Sequence, residues 1–372
     1  MEAKKERFNS FDSLKFIIIF IGSTIGHFWQ FTPKQYDAVC ETAWMSKIVD
    51  ALTHFSFLHT HTLMELLFMM SGFQMYLAYH ERIKDEKISF IDFFKKRFVR
   101  LYPPMIISTV VMSIALLAYR HYAQTEWCGV FFMPKAFMMS ILGVQAWMSD
   151  THVINGPLWF LSVLVLCLIV YYLVERIGAR YKMGILALFI PIVMALGHFF
   201  DPSMFIWLHN DVCRGFFGFF LGAVFAALYR YFDKKKFAIV SIIFMILYLP
   251  LFFGFYDIVL ADGVERGVMT SLMFYGPLII VLACFPKLDA IIGVKPLVYM
   301  GKASFHLYCF NFPFYVLLQT MNIRFSLNIN YDSFYTFWIL IIIQIVMAIV
   351  LHILIDEKLC PKVSELINKK EN

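Results

Sequence analysis

FDSLKFIIIFIGSTIGHFWQF, residues 11–31, is an apolar run with a cation near one end, Lys15, and an imidazole near the other, His27. Its reading decides the fold. Crossing the hydrocarbon core takes about 20 apolar residues. An ionisable side chain inside such a span is costly enough to mark function or a paired structural site. The preceding MEAKKERF gives the start of the chain the outline of a signal peptide. No small-residue cleavage site follows and the run is long enough to span, so it reads as a retained first helix.

Composition extends that reading to the whole chain. Of 372 residues, 60% are hydrophobic and 16% charged, and Phe occurs 42 times. Mean hydropathy is +0.71. Soluble domains average about 45–50% apolar and about 25% charged residues. No ordinary core could bury this much apolar surface, so lipid is the solvent for most of it, and the fold class is an all-α polytopic membrane protein. The net charge of +6 does not point to nucleic acid, because Lys and Arg sit in short clusters between apolar runs instead of on one soluble domain. Seven cysteines form no paired spacing for a disulfide framework or a zinc motif. Cys40 and Cys128 fall in loops assigned to the outside and are able to pair; otherwise all seven are buried or bystander thiols.

Ten spans are expected, at about 14–33, 63–80, 101–119, 157–175, 183–200, 212–230, 238–257, 268–285, 303–321 and 333–355, within one membrane domain covering residues 1–372. An eleventh apolar stretch, 130–148, is broken by Pro134 and Lys135. With ten spans and both termini cytoplasmic, the inner segments hold 24 Lys and Arg and the outer segments six. Counting 130–148 as a span would put Arg176, Arg180, Lys182 and the cluster YRYFDKKK outside, against the positive-inside tendency. That stretch is therefore read as a re-entrant or interfacial element of the outer side.

The ionisable residues inside spans are Lys15, His27, Glu65, Arg214, His306 and His352. At about 1.5 Å per residue, His27 lies roughly 20 Å and Glu65 roughly 22 Å above the inner ends of their spans. Equal depth on sequential helices suits a general base with an orienting carboxylate. It equally suits a buried pair that satisfies only its own hydrogen bonds. On the inner face, DFFKKRFVRLYPP carries Arg97 and Arg100 three residues apart, hence on one helical face. Such a fork grips phosphate, or serves as a topology signal with Lys95 and Lys96. HTHTLMEL offers His59, His61 and Glu65, but the two histidines lie about 200° apart on a helix, and no metal site is expected. Asn155 and Trp159, in NGPLWFLS, stand at an outer turn that opens a helix.

In order along the chain, these pieces resemble the acyltransferase 3 family of integral-membrane acyltransferases. FDSLKFIIIF is similar to its opening, and MELLFMMSGF (64–73), KRFVRLYP (96–103), NGPLWFLSVL, CRGFFGFFLG (213–222) and GKASFHLYCFNFPF (301–314) are similar to its later signatures, in register. The resemblance implies transfer of an acyl group, most often acetyl, from cytoplasmic acyl-CoA to a hydroxyl of a cell-surface polysaccharide or lipid-linked glycan. It implies His27 as the essential histidine, with Glu65 at matching depth, and Lys15, Arg97 and Arg100 as donor-binding residues. Asn155, Trp159, Tyr308 and Asn311 are candidate acceptor or oxyanion contacts. No bound cofactor is expected, acyl-CoA being a co-substrate. The expected partners are acyl-CoA, the envelope glycan, the lipid bilayer and an extracytoplasmic acceptor-specific protein, because the chain shows no soluble outer domain. The expected location is the plasma membrane, in bacteria the inner membrane.

Two departures from the family pattern leave a transporter or acyl-relay subunit as the alternative. Eleven residues separate Lys15 from His27 where the family has ten. A regular helix would then set the pair about 120° apart instead of about 20°. A one-residue bulge around Gly22-Ser23-Thr24 would restore a common face. Asn311 also stands where the family usually has a histidine in its ninth span.

Overall fold

The computed structural model describes residues 8–27, 62–147, 153–205, 208–254, 264–331 and 333–369. Cys40, His59 and His61 lie outside them. The described residues contain no strand, only one antiparallel bridge between Trp127 and Val130. In chain order the helices are α1 (Asn9–Ile19), α2 (Leu63–Lys84), α3 (Phe90–Ala123), α4 (Pro134–Leu142), α5 (Trp159–Arg180), α6 (Phe189–Phe200), α7 (Asn210–Tyr231), α8 (Lys234–Gly254), α9 (Val264–Thr270), α10 (Gly276–Cys284), α11 (Pro286–Ile292), α12 (Lys295–Phe325), α13 (Phe334–Leu351) and α14 (Cys360–Lys369). Among the described residues, three π turns extend them: Phe20–Ile25 after α1, Ser271–Tyr275 between α9 and α10, and His352–Leu359 between α13 and α14.

Each apolar segment read as a span overlaps a helix among the described residues. Among the described residues, five stretches are both long and apolar enough to cross a membrane: Phe90–Ala123, Gly156–Arg180, Asn210–Tyr231, Gly267–Cys284 and Tyr335–Ile367. The protein is therefore a multi-pass, all-helical membrane protein. α2 and α12 have the length, 22 and 31 residues, but residues such as Glu65, Gln74, Lys302, His306 and Asn311 dilute their apolar content. α4 is nine residues long, about 14 Å, too short to span. Pro134 starts it, and Gly143 ends it at φ 74°, a left-handed position that favours glycine.

The chain divides into two compact units: 1–14, 61–94 and 163–298 form the first, and 15–60, 95–162 and 299–372 the second. In the first, α2 lies directly against α7. Gly218 and Gly222 follow the small-xxx-small spacing that lets membrane helices approach closely. A Cβ on Gly222 would collide with the Met69 carbonyl, and one on Gly72 with the Phe219 carbonyl. Backbone meets backbone at both points, which explains why CRGFFGFFLG alternates glycine with phenylalanine. Phe8, Phe11, Phe73 and Tyr229 pack beside this contact with ring centroids 5.1–6.4 Å apart.

The second unit has its own apolar core, built around Ile25, Met112, Leu116, Trp127, Ile154, Tyr315, Phe337 and Leu340. α3 enters it through Pro103 and Pro104, which lie inside the helix. Neither proline has an N–H, so the carbonyls of Val99 and Arg100 lose their helical donors.

Candidate active site

The first helix absorbs its extra residue in the place the sequence suggested. Phe20–Ile25 is a π turn with Gly22, Ser23 and Thr24 buried in it, and Gly26 N–H donates to the Ile21 carbonyl five residues back at 3.0 Å. A Cβ on Gly26 would collide with the Gly22 carbonyl. The wider turn takes up about one residue, or about 100° of rotation, returning His27 to within about 20° of the Lys15 face. The two side chains are about 18 Å apart along the axis.

His27 is half-buried. Its ring meets the Phe312 ring edge-on, with centroids 5.1 Å apart and planes at 77°. Its Nδ1 lies 3.4 Å from Ser23 Oγ, a contact between residues on the same face of the turn. Phe312 in turn packs against Trp127 at 5.6 Å and closes over Gly156, where a Cβ would stand 2.8 Å from its ring. Trp127 Nε1 donates to Gln319 Oε1 at 2.8 Å, which fixes the indole behind Phe312.

The turn before α5 is clamped to α12 beside this ring. Asn155 Nδ2 donates to the Cys309 carbonyl at 3.0 Å, and the Tyr308 hydroxyl donates to the Pro157 carbonyl. Both side chains are buried. In this conformation, then, the two donors considered for an oxyanion hold the turn in place. Asn155 Oδ1 is buried without a hydrogen-bond partner. Trp159 opens α5, half-buried, beside Phe160 with centroids 6.2 Å apart, and Phe160 packs against Tyr308. Asn311 Nδ2 donates to Gln344 Oε1 at 2.8 Å, and Gln344 Nε2 donates to the Tyr315 hydroxyl at 2.5 Å. A neutral amide suits this chain of neutral groups, so Asn311 ties α12 to α13.

Lys15, Arg97 and Arg100 belong to the same unit as His27. Lys15 and Arg97 are half-buried and Arg100 is exposed. Arg100 lies within electrostatic reach of His306 and Cys360.

Glu65 belongs to the other unit. Its Oε1 accepts from Arg214 Nε at 2.6 Å, and Arg214 Nη1 stands 3.6 Å from Asp211 Oδ1. Depth along the helices paired Glu65 with His27; the contacts described for each lie within its own unit. Arg214 supplies the opposite charge that makes a buried carboxylate tolerable.

Sequence reasoning missed Phe312, since nothing singles out one phenylalanine among 42. It also missed the buried pair His80 Nδ1–Glu175 Oε2, 2.7 Å apart, with Tyr76 stacked on the imidazole at 4.3 Å. Those residues lie at helix ends, where charge is expected, and no pattern announced that they turn inward.

A family model described as an acyltransferase domain matches residues 8–357. No curated protein and no solved structure matches the chain.

Proposed function

The chain belongs to the acyltransferase 3 family and is a membrane acyltransferase acting on groups other than aminoacyl groups, and we propose that it is an O-acyltransferase of the cell envelope. The acyl group, most often acetyl, comes from cytoplasmic acyl-CoA and goes to a hydroxyl of a cell-surface polysaccharide or lipid-linked glycan. The single membrane domain crosses the plasma membrane (the inner membrane in bacteria) ten times, with both termini cytoplasmic. An extracytoplasmic partner protein presents the acceptor.

The observation that carries this reading is the π turn at Phe20–Ile25. It gives Lys15 and His27 one face and separates them by about 18 Å, a length suited to a thiol arm whose phosphates rest at the inner rim. Arg97 and Arg100, with Lys15, hold those phosphates. With Nδ1–H of His27 directed at Ser23 Oγ, Nε2 takes the acceptor hydroxyl proton as that oxygen attacks the thioester carbonyl. The C–S bond then breaks, the acyl group passes to oxygen, and the thiolate leaves as CoA and is protonated. Phe312 fixes the imidazole plane, and Asn155 and Tyr308 hold the turn that borders the acceptor side. Glu65 is held by Arg214 within the other unit.

The test uses purified protein, labelled acetyl-CoA and an envelope-glycan extract. His27→Ala is expected to lower kcat by about 10²–10⁴-fold with acetyl-CoA binding retained. Arg100→Ala is expected to raise the KM for acetyl-CoA. Unchanged product formation in His27→Ala would sink the assignment of the base, and unchanged acetyl-CoA affinity in Arg100→Ala would refute the phosphate grip.

A further inference from the structure

His306 is fully buried on α12, and neither of its ring nitrogens has a hydrogen-bond partner. A neutral imidazole carries one N–H and one lone pair, and burying both unmatched is a cost that folded proteins rarely leave uncompensated. The groups facing it come from the π turn after α13. His306 Nε2 stands 3.5 Å from Asp356 Oδ1, and that oxygen is also buried without a hydrogen-bond partner. His352 Nδ1 stands 2.8 Å from Asp356 Oδ2.

We propose that His306, His352 and Asp356 bind one divalent first-row transition ion of the zinc class. One nitrogen of each imidazole and one carboxylate oxygen lie within 4.8 Å of one another. A four-coordinate ion with bonds of about 2.0–2.1 Å needs ligand atoms about 3.3–3.4 Å apart, so small side-chain shifts close the set. Two imidazoles and a carboxylate suit zinc or iron, and three protein ligands leave a position open. The other nitrogen of His352, Nε2, faces Glu357 Oε1 at 3.9 Å. A carboxylate behind a ligating histidine is the usual outer-sphere arrangement, fixing the tautomer and raising ligand basicity. Ring contacts steady both imidazoles: Tyr299 meets His352 edge-on at 5.7 Å, and the two histidine rings are 5.7 Å apart. Asp356 is 23% exposed at its side chain, which gives an ion a way in.

The competing explanation is a plain hydrogen-bonded His–Asp–His relay. It accounts for His352 at 2.8 Å but not for His306: the 3.5 Å contact lacks hydrogen-bond geometry, and Nδ1 has no hydrogen-bond partner in either tautomer. A cation attracts the converging lone pairs that a shared proton leaves misaligned. The backbone adds a second indication, because π turns inside helices recur at functional sites. The Lys15–His27 spacing drew attention to the first π turn; this one had no sequence signal.

The full-length protein in detergent, stripped with a chelator and reloaded with Co²⁺ or Zn²⁺ alone, tests this without any substrate, so its result is separate from that of the acyl-transfer reading. One ion per chain is expected by elemental analysis, with a Co²⁺ visible band characteristic of four or five ligands. Asp356→Asn and His352→Ala are expected to weaken Co²⁺ binding by more than the roughly 10–100-fold that loss of an outer-sphere partner costs. His80→Gln, in a separate imidazole–carboxylate pair with Glu175, leaves the band unchanged. The wild-type measurement does not depend on any variant folding. Absence of a stoichiometric ion and of the band in the reloaded wild type, or an unaltered band in both ligand variants, overturns the proposal and leaves the hydrogen-bonded relay.

Discussion

Arg214 Nε and Glu65 Oε1 meet at 2.6 Å, joining α7 to α2 across 149 residues of sequence. The carboxylate side chain is 8% exposed and the guanidinium 25%. Breaking a buried pair by removing one partner strands the other charge, at about 3–5 kcal/mol. Glu65→Ala and Arg214→Ala are each expected to lower unfolding stability in detergent by that order. The double variant should lose less than the sum of the two, and strict additivity in the cycle would refute the coupling.

The close approach of α2 and α7 makes a second prediction. Gly222→Ala places a methyl group against the Met69 carbonyl, which no rotamer change relieves. Overpacking of this kind costs about 1–3 kcal/mol. Gly267→Ala, in α9, meets nothing within 4 Å and removes the glycine penalty of about 0.8–1 kcal/mol in a helix. Thermal unfolding should therefore shift in opposite directions for the two variants.

Deleting Thr24 leaves ten residues between Lys15 and His27, so a regular helix sets them about 20° apart. Transferase activity should survive this deletion. An Ala inserted after Thr24 rotates His27 by about 100° and should abolish activity while leaving the protein folded by thermal unfolding. Equal activity in both would remove the π turn from the functional argument.

Phe312 touches both His27 and Trp127. Phe312→Leu keeps an apolar group at this position but loses the edge-on contact with the imidazole. The expected result is a lower kcat at little-changed KM for acetyl-CoA. A change confined to KM would assign Phe312 to the donor site instead.

Cys128 tests the assignment of sides. It is exposed on the α3–α4 connection, and burial of part of its surroundings pushes the thiol above its ordinary range. The reactive thiolate therefore forms only in more alkaline solution. In a Cys40→Ser background, a membrane-impermeant maleimide should label intact cells slowly at neutral pH and faster as pH rises, and Cys128→Ser should remove that signal. Labelling only after permeabilisation would invert the ten-span arrangement.

Much of the candidate site is legible in the sequence, because lipid restricts which residues a span tolerates. Lys15, His27, Glu65, Arg214, His306 and His352 all stand out against apolar neighbours, and the last five have described contacts. Depth along a helix is only one of the coordinates that a contact needs. The azimuth of each helix, set by packing, gave Glu65 to Arg214 and His306 to His352 and Asp356. Asp356 escaped notice because it lies just past the last apolar run.

By itself, the sequence determined the all-helical membrane class and the family, since hydropathy and motif order are written along one dimension. It also located the extra residue of the first helix between Gly22 and Thr24, because 3.6 residues per turn makes an insertion visible as a rotation. Only the tertiary structure decided that this residue becomes a π turn, that Phe312 backs His27, and that two histidines and an aspartate converge. Those outcomes depend on which helix faces meet, and helix contacts join residues far apart in the chain whose mutual approach no local pattern encodes.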